Sequence, residues 1–197
     1  MERSLSINGV RIRYLEEGKG LPVVLLHGYS FSADTWREIS LFDELSKEYR
    51  VYSFDMPYGL KSKSDKFDTG SRDEYALFLN DLLVMLNIRE PFLLGASISG
   101  EVTLRYLVGG HSAKAGIVVG PVGVKGLTAK LEKIVVPLLA IWGERDTISQ
   151  PGDSKFLAAY VKNSEVRIID GAGHACYLDK PEEFKVTVKD FLKRFAI

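Results

Sequence analysis

A turn of small residues constrains the fold of this chain more than any other feature of the sequence. The turn, GASISG at residues 95–100, lies between the apolar run Phe92–Leu94 and the segment Glu101–Tyr106. The apolar run predicts a buried strand, and the segment that follows predicts a helix. A strand that passes directly into a helix turns sharply, so the residues two positions either side of the apex must be small. Around Ser97 these two residues are a glycine and a serine.

Two serines compete for the apex of this turn, Ser97 and Ser99. With Ser99 at the apex, the residue two positions further on would be Glu101, which is too large and too charged for the crowded side of the turn. Ser97 is therefore the preferred nucleophile. Strings of this kind also occur in ordinary glycine-serine turns, so the turn alone does not establish a reactive site.

Two segments further along the chain place an acid and a histidine directly after predicted strands. The apolar run Pro137–Trp142 leads to Asp146, and Val166–Ile169 leads to a glycine-rich loop that contains His174. Open parallel sheets carry their reactive groups at the carboxyl ends of the strands. Taken singly, the two residues fit an ordinary surface turn and an ordinary loop. Taken with Ser97 in this order, they predict a nucleophile, acid and base.

Several spaced motifs resemble those of the α/β-hydrolases, and the match extends over nearly the whole chain. Val24–Tyr29 resembles the strand and HG loop of that family, and Phe54–Ser62 resembles its D-x-P-G-x-G-x-S segment. Residues 95–100 resemble its G-x-S-x-G nucleophile elbow, although Ser99 stands where the second glycine is usual. The order serine, aspartate, histidine is also that of the family. The resemblance is specific for the superfamily and carries little information on the substrate.

The resemblance implies a mechanism through an acyl-enzyme. Ser97 Oγ would attack an acyl carbonyl as His174 takes its proton. Asp146 would fix the tautomer of the imidazole and stabilise the imidazolium that forms. Water would then hydrolyse the acyl-enzyme, with no metal or organic cofactor implied.

The same resemblance implies an oxyanion site made of backbone N–H groups. Its donors would be Ile98, the residue after the nucleophile, and Tyr29, in the loop after the HG pair. His27 is interpreted as a structural support for that loop rather than as a catalytic residue. For the aromatic residues of the loops near the elbow, core packing is an equal alternative to substrate contact. The predicted substrate-binding residues are Tyr29, Phe31, Pro121, Val122 and Tyr177.

Strand and helix patterns alternate to the end of the chain, which predicts one α/β domain over residues 1–197. A mostly parallel sheet with helices on both faces is expected, preceded by an antiparallel hairpin over Leu5–Glu16 that turns at Asn8–Gly9. Further strands are predicted at Val23–His27, Val51–Asp55 and Gly116–Val119.

Helices are predicted between these strands from the spacing of apolar residues. The clearest begins at Arg72, where Ser71 and Glu74 fit a capping box. The others are expected over Asp34–Lys47, with Trp36, Ile39 and Phe42 near one face, over Gly152–Val161, and from Pro181, with Phe184, Val188, Phe191, Leu192 and Phe195 buried.

One connection is informative because it is short. Larger members of the resembled family insert a cap or lid after the strand that corresponds to Ile117–Val119. Here only Gly120–Ile134 separates that strand from the one that leads to the acid, which is room for a loop and one short helix. The sequence therefore predicts a hydrolase core without a cap domain and with a fairly open site.

Composition excludes several classes of function. The formal net charge is zero, so no basic excess points to nucleic acid or to an anionic membrane. The N-terminus, Met1–Ser4, lacks an apolar stretch of signal-peptide length, and no run anywhere approaches the length of a membrane span, which predicts a cytoplasmic location. The one cysteine, Cys176, excludes an intramolecular disulfide and a multi-cysteine metal site, and is interpreted as a packing residue.

The leading functional hypothesis is hydrolysis of a small carboxylic ester, with a thioester or lactone as close alternatives. The expected partner is a small acyl substrate. A different class stays open, because the fold also supports modules that bind a small molecule or a protein and signal with little turnover. A third option is another reaction on the same residues, such as perhydrolysis, cyanohydrin cleavage or carbon–carbon bond hydrolysis.

Overall fold

The computed structural model describes residues 1–196 and contains an eight-stranded sheet. The sheet order is β1-β2-β4-β3-β5-β6-β7-β8. β1 and β2 pair antiparallel, β2 pairs antiparallel with β4, and all other neighbours are parallel. The strands are β1 Glu2–Ile7, β2 Val10–Glu17, β3 Pro22–Leu26, β4 Arg50–Phe54, β5 Phe92–Ala96, β6 Ala115–Val119, β7 Leu138–Gly143 and β8 Ser164–Ile169.

The N-terminal hairpin is confirmed and turns where the sequence predicts. Asn8 and Gly9 both have positive φ, 51° and 82°, as the tight two-residue turn of a hairpin requires. β1 begins at Glu2 rather than at Leu5. The residues before Leu5 are exposed and polar, so no apolar alternation marks the start of this edge strand. The other predicted strands begin and end within two residues of the observed bounds.

Helices cover both faces of the sheet, as predicted. They are α1 Thr35–Glu38, α2 Leu41–Leu45, α3 Arg72–Met85, α4 Ile98–Val108, α5 Val124–Leu127, α6 Ser154–Tyr160, α7 Cys176–Asp179 and α8 Pro181–Phe195, with 3-10 turns at Thr128–Lys133 and Pro151–Asp153.

The prediction of a single helix over Asp34–Lys47 is wrong. The helix is interrupted at Ser40, whose φ of 62° lies in the left-handed region, so α1 and α2 are separate helices. Trp36, Ile39 and Phe42 are nevertheless buried on one side. A spacing of three residues places side chains on a common side of two short helices as well as of one long helix, so the periodicity does not reveal the break.

At the start of α3, only one of the two hydrogen-bonding roles of the predicted capping box is filled. The Ser71 hydroxyl accepts a hydrogen bond from the N–H of Asp73 at 3.0 Å, rather than from the N–H of Glu74. Within residues 1–196 the Glu74 side chain returns no bond to Ser71. One orphan donor of the helix is therefore satisfied, where the full box would satisfy two.

The two faces of the sheet build two halves of the core. Along β7, Leu138, Ala140 and Trp142 pack on one face with α3 and α4, whereas Leu139 and Ile141 pack on the other with α8. A strand buried on both sides reads as a continuous apolar run, which is why β5 to β7 are visible in the sequence. In α8 the buried residues are Phe184, Val188, Phe191 and Leu192, and Phe195 is partly buried.

The carboxyl ends of β3, β5, β7 and β8 all lie at one edge of the sheet. The connection from β6 to β7 contains only α5 and one 3-10 turn, so the described residues contain no cap domain, as predicted. The loops at this edge are therefore not covered by an inserted domain.

Candidate active site

Ser97 lies at a strained turn between β5 and α4. Its φ and ψ are 55° and −115°, a conformation that costs a non-glycine residue about 1–3 kcal/mol. A Cβ atom on Gly95 would lie 2.3 Å from the carbonyl oxygen of Ser99, so the crossing requires a glycine. The N–H of Ser97 is held by the carbonyl of Val119 at 2.8 Å. The serine side chain makes no capping bond to α4 and is free for another partner.

That partner is His174. Its Nε2 lies 2.9 Å from Ser97 Oγ, and its Nδ1 lies 2.8 Å from Asp146 Oδ2. The three side chains come from the loops after β5, β7 and β8, which are brought to the same edge by the sheet order. The structure therefore brings the three predicted residues together, and their catalytic roles stay a prediction.

The environment of Asp146 assigns the proton on the histidine ring. Its side chain is fully buried, and its Oδ1 accepts hydrogen bonds from the N–H groups of Ile148 and Ser149, both at 2.9 Å. An ionised carboxylate only accepts hydrogen bonds, so Nδ1 of His174 must be the donor to Oδ2. In the neutral ring, Nε2 then presents its lone pair to the hydroxyl of Ser97.

Two backbone N–H groups near the serine have no hydrogen-bond acceptor within the described protein. Ile98 is the first residue of α4, so its N–H has no acceptor inside the helix. The N–H of Tyr29 lies in the loop after β3. Across residues 1–196, neither group donates a hydrogen bond to another protein atom. Donors of this kind can bind a developing oxyanion, and that role stays a prediction for both residues.

His27 supports the loop that carries Tyr29. Its ring is buried, Nε2 accepts from the N–H of Met56 at 2.9 Å, and Nδ1 lies 2.8 Å from the carbonyl of Gly28. Since a backbone N–H can only donate, Nδ1 carries the proton and donates to Gly28. The ring is neutral in this arrangement, and its burial holds its pKa below the ordinary value.

This burial predicts a loss of stability in acid. Between the lowered folded-state pKa of His27 and the unfolded value of 6.5, only the unfolded chain takes up the proton. The free energy of unfolding should therefore fall as the pH drops below that value, by up to about 1.4 kcal/mol per pH unit from this group. Urea unfolding across this range should give a shallower dependence on pH for His27→Gln than for the wild type. Equal slopes for His27→Gln and wild type would contradict the assignment.

A cavity of about 300 Å³ opens beside the two unoccupied donors. Of the predicted substrate-binding residues, Tyr29 lines it, and it is joined by Ile98. The sequence analysis missed the other residues of its wall as site residues. They are Tyr58, four residues of the connection before α3 (Asp68, Thr69, Gly70 and Ser71), and Arg72 and Tyr75 in the first turn of α3. Tyr58 lies inside the Phe54–Ser62 motif, and that position is the one signal that could have identified it.

The other predicted wall residues lie elsewhere around the serine. A Cβ atom on Gly28 would lie 3.5 Å from Phe31 Cδ2, 3.6 Å from Ser97 Cβ and 3.6 Å from Tyr177 Oη, so these groups converge on one point. The ring of Tyr177 also packs against Trp36 in the core, with centroids 5.0 Å apart. Substrate contact by Phe31 and Tyr177 stays a prediction.

Pro121 and Val122 follow β6 and pack behind the elbow. The carbonyl of Pro121 accepts from the Ser149 hydroxyl at 2.6 Å, and the N–H of Val122 lies 3.4 Å from the carbonyl of Ser97. The first contact joins this segment to the acid loop, and the second joins it to the elbow. Neither residue lines the cavity, so contact of Pro121 and Val122 with substrate also stays a prediction.

Two residues whose roles were open are buried. The Ser99 hydroxyl bonds to Tyr58 and to the carbonyl of His27, so it is engaged away from His174. The thiol of Cys176 is fully buried and its pKa is raised to about 12 by that burial, which keeps it neutral and unreactive. Packing is therefore the interpretation that the structure supports for Cys176.

The described residues hold neither a cluster of metal-ligating side chains nor a membrane-spanning helix. Over residues 1–196, no three His, Cys, Asp or Glu side chains are grouped as metal ligands. Nor does any helix in that range combine the length and apolarity needed to cross a bilayer. The absence of a cofactor from the reaction stays a prediction.

Comparison with known proteins gives similarities over most of the chain. Residues 23–130 match the model described as "Alpha/beta hydrolase family". The chain is 36% identical over 178 residues to Protein ABHD14A of Danio rerio, covering 88% of this chain and 65% of the length of that protein. It is 30% identical over 202 residues to "Putative protein-lysine deacylase ABHD14B" of Pongo abelii, covering 98% and 95%. Among solved structures, one described as a predicted CIB-like hydrolase from Thermoplasma acidophilum superposes with a TM-score of 0.92 at 29% identity, covering 98% of each chain.

Proposed function

The chain belongs to the alpha/beta hydrolase family, and from this premise we propose that it is a serine hydrolase that cleaves small carboxylic esters through an acyl-enzyme. The observation that carries the proposal is the continuous hydrogen-bond chain from Asp146 through His174 to Ser97, with distances of 2.8 and 2.9 Å. It ends on a serine at a strained strand-to-helix turn beside two free backbone donors. Thioesters and lactones fit the same chemistry.

In the proposed reaction, Ser97 Oγ attacks the acyl carbonyl while its proton passes to Nε2 of His174. The oxyanion accepts hydrogen bonds from the N–H groups of Ile98 and Tyr29. The imidazolium, stabilised by Asp146, gives the proton to the leaving alkoxide, which departs as the alcohol. A water molecule then attacks the acyl-enzyme by the same steps in reverse and releases the carboxylic acid.

The size of the cavity supports a small substrate. Its volume of about 300 Å³ is at the lower end of the range for small-molecule sites, roughly 300–1,000 Å³. Ile98 and Tyr29 line it, so an acyl or alcohol group that occupies it would place its carbonyl near both donors. Without a cap over the site, a long chain would leave its distal methylenes in water.

The predicted dependence on acyl length follows from this geometry. With p-nitrophenyl esters from acetyl to palmitoyl, kcat/KM should be highest for short acyl groups, because each methylene left in water forgoes up to about 0.8 kcal/mol. The rate should also saturate normally and show no jump when the substrate passes its solubility limit, since no lid opens at an interface. A maximum at long chains together with interfacial activation would show that a segment interpreted as core acts as a lid.

The same ester panel separates hydrolysis from a binding module with little turnover. A serine hydrolase should give a burst of p-nitrophenol, followed by steady turnover and labelling of Ser97 by a serine-directed phosphonate. A binding module should give neither. Absence of both would contradict the proposed function.

Acyl-lysine is a second candidate substrate, favoured by the 30% identity, over nearly the whole of both chains, to the protein named "Putative protein-lysine deacylase ABHD14B". An acetyl-lysine peptide would use the same attack by Ser97, with the lysine amine as leaving group protonated by His174. Parallel assays with an acetyl ester and an acetyl-lysine peptide decide between them by kcat/KM. Release of lysine peptide with kcat/KM above that of the ester would make deacylation the main activity.

A further inference from the structure

The hydroxyl of Ser99 connects three segments that converge under the elbow. Its Oγ lies 2.6 Å from Tyr58 Oη and donates to the carbonyl oxygen of His27. All three residues are buried. A carbonyl only accepts, so the single proton of Ser99 goes to His27, and Tyr58 must therefore donate its own proton to Ser99. The direction of the whole chain is fixed from Tyr58 to Ser99 to His27.

The two ends of the Ser99–His27 bond lie beside the two free backbone donors. Ser99 follows Ile98 directly in the first turn of α4, and His27 is two residues before Tyr29. The loop after β3 is also fixed at its next carbonyl groups. The carbonyl of Gly28 accepts from the N–H of Phe31 at 3.1 Å, and that of Tyr29 accepts from the N–H of Leu60 at 2.7 Å. Among the hydrogen bonds within residues 1–196, only the one from Ser99 joins this loop directly to α4 through a side chain.

We propose that Ser99 is a positioning residue that sets the separation between the N–H groups of Ile98 and Tyr29, so that both reach one oxyanion; the inference rests on the proposed serine hydrolysis. A glycine at this position, as in the usual elbow pattern, has no side chain to make such a bond. Here the small hydroxyl satisfies the space limit of the turn and also ties the two sides of the oxyanion site together. Preorganised donors act through their position, and a displacement of about 1 Å can cost on the order of a hundredfold in rate.

The first test is Ser99→Ala, assayed with a short-chain p-nitrophenyl ester. Active sites are counted by end-point titration with a phosphonate, so misfolded protein does not enter the rate. We expect kcat per titrated site to fall roughly 10- to 100-fold with KM changed by less than about threefold, because the weakened bonds, from the two N–H groups to the oxyanion, form only in the transition state. The inhibition constant of a short alkyl boronic acid, whose tetrahedral adduct occupies the oxyanion site, should rise by a similar factor. Ser164→Ala removes a comparable hydroxyl-to-carbonyl bond to Leu157 away from the site, and should leave kcat and boronate affinity unchanged.

The second test is Tyr58→Phe, which keeps the ring that lines the cavity and removes only the donor to Ser99. It should lower kcat per site by a smaller factor, about threefold to tenfold, since the bond from Ser99 to His27 remains. Tyr106→Phe is the matched control, because it removes a hydroxyl bond to Ser112 outside the site. If Ser99→Ala does not fold, Tyr58→Phe decides the matter.

The outcomes separate this inference from the proposed function. Wild-type protein that hydrolyses esters and is labelled at Ser97, with either Ser99→Ala or Tyr58→Phe equal to wild type in kcat per site and boronate affinity, would overturn the positioning role alone. A purely structural role would lower the melting temperature and leave both kinetic quantities unchanged. Wild-type protein that is neither active nor labelled would overturn the proposed function, and the positioning role with it.

Discussion

Ser97→Ala is expected to lose acyl-enzyme formation completely and to lower kcat by about 10⁴-fold or more. The alanine has no oxygen to attack the carbonyl, so only the oxyanion donors and substrate binding can still accelerate attack by water. The fold should be kept, because within the described residues 1–196 the Ser97 hydroxyl bonds only to His174 and makes no capping bond to α4. The measurement is kcat for a short-chain ester, together with labelling by a serine-directed phosphonate.

Ser99→Ala is the control for this result, since it removes the neighbouring hydroxyl and leaves the proposed nucleophile in place. It should react slowly and still reach full labelling at Ser97, whereas Ser97→Ala should stay unlabelled. Labelling of Ser97→Ala at Ser99 would mean that the nucleophile was assigned to the wrong serine.

Asp146→Asn is expected to lower kcat by about 10⁴-fold while the protein stays folded. The asparagine can keep its carbonyl oxygen on the N–H groups of Ile148 and Ser149, which Asp146 Oδ1 accepts at 2.9 Å. Its NH₂ group then points to Nδ1 of His174. Because that group can only donate, the ring must move its proton to Nε2, where it can no longer accept the proton of Ser97.

The measurements for this variant are kcat per titrated site and the melting temperature. Asp153→Asn is the matched control, as it removes an aspartate charge that pairs with Lys125 at 3.2 Å near the same loop, without contact to His174. It should retain wild-type turnover. Near-normal turnover in folded Asp146→Asn would show that another residue orients His174.

The parts of the site that the sequence predicts are those that follow from strand ends. Asp146 and His174 are separated by 28 residues, yet both directly follow strands that are neighbours in the sheet. An apolar run marks such a strand, and the parallel order places the residues after it at one edge. The position of Ser97 is likewise a local property, because the steric limits of the turn act on residues two positions away.

The parts that the sequence does not predict depend on contacts between distant segments. The bonds of Ser99 to Tyr58 and to His27 span 41 and 72 residues. Both hydroxyls lie inside motifs, but neither motif indicates that the two hydroxyls meet or that Ser99 reaches His27. The cavity wall from residues 68–72 has no periodicity that points to a site. The break at Ser40 is invisible for a related reason, since burial of Trp36 and Phe42 is compatible with one helix or two.

Rapid acid quenching followed by mass spectrometry tests the central claim most directly. Wild-type protein mixed with an excess of p-nitrophenyl butyrate and quenched during the burst should gain the mass of one butyryl group per chain, on the proteolytic peptide that contains Ser97. His174→Ala treated in the same way should gain none within that time, because no base takes the serine proton. Hydrolysis by wild type without any adduct, or an adduct on a residue other than Ser97, would contradict a mechanism through an acyl-enzyme at this serine.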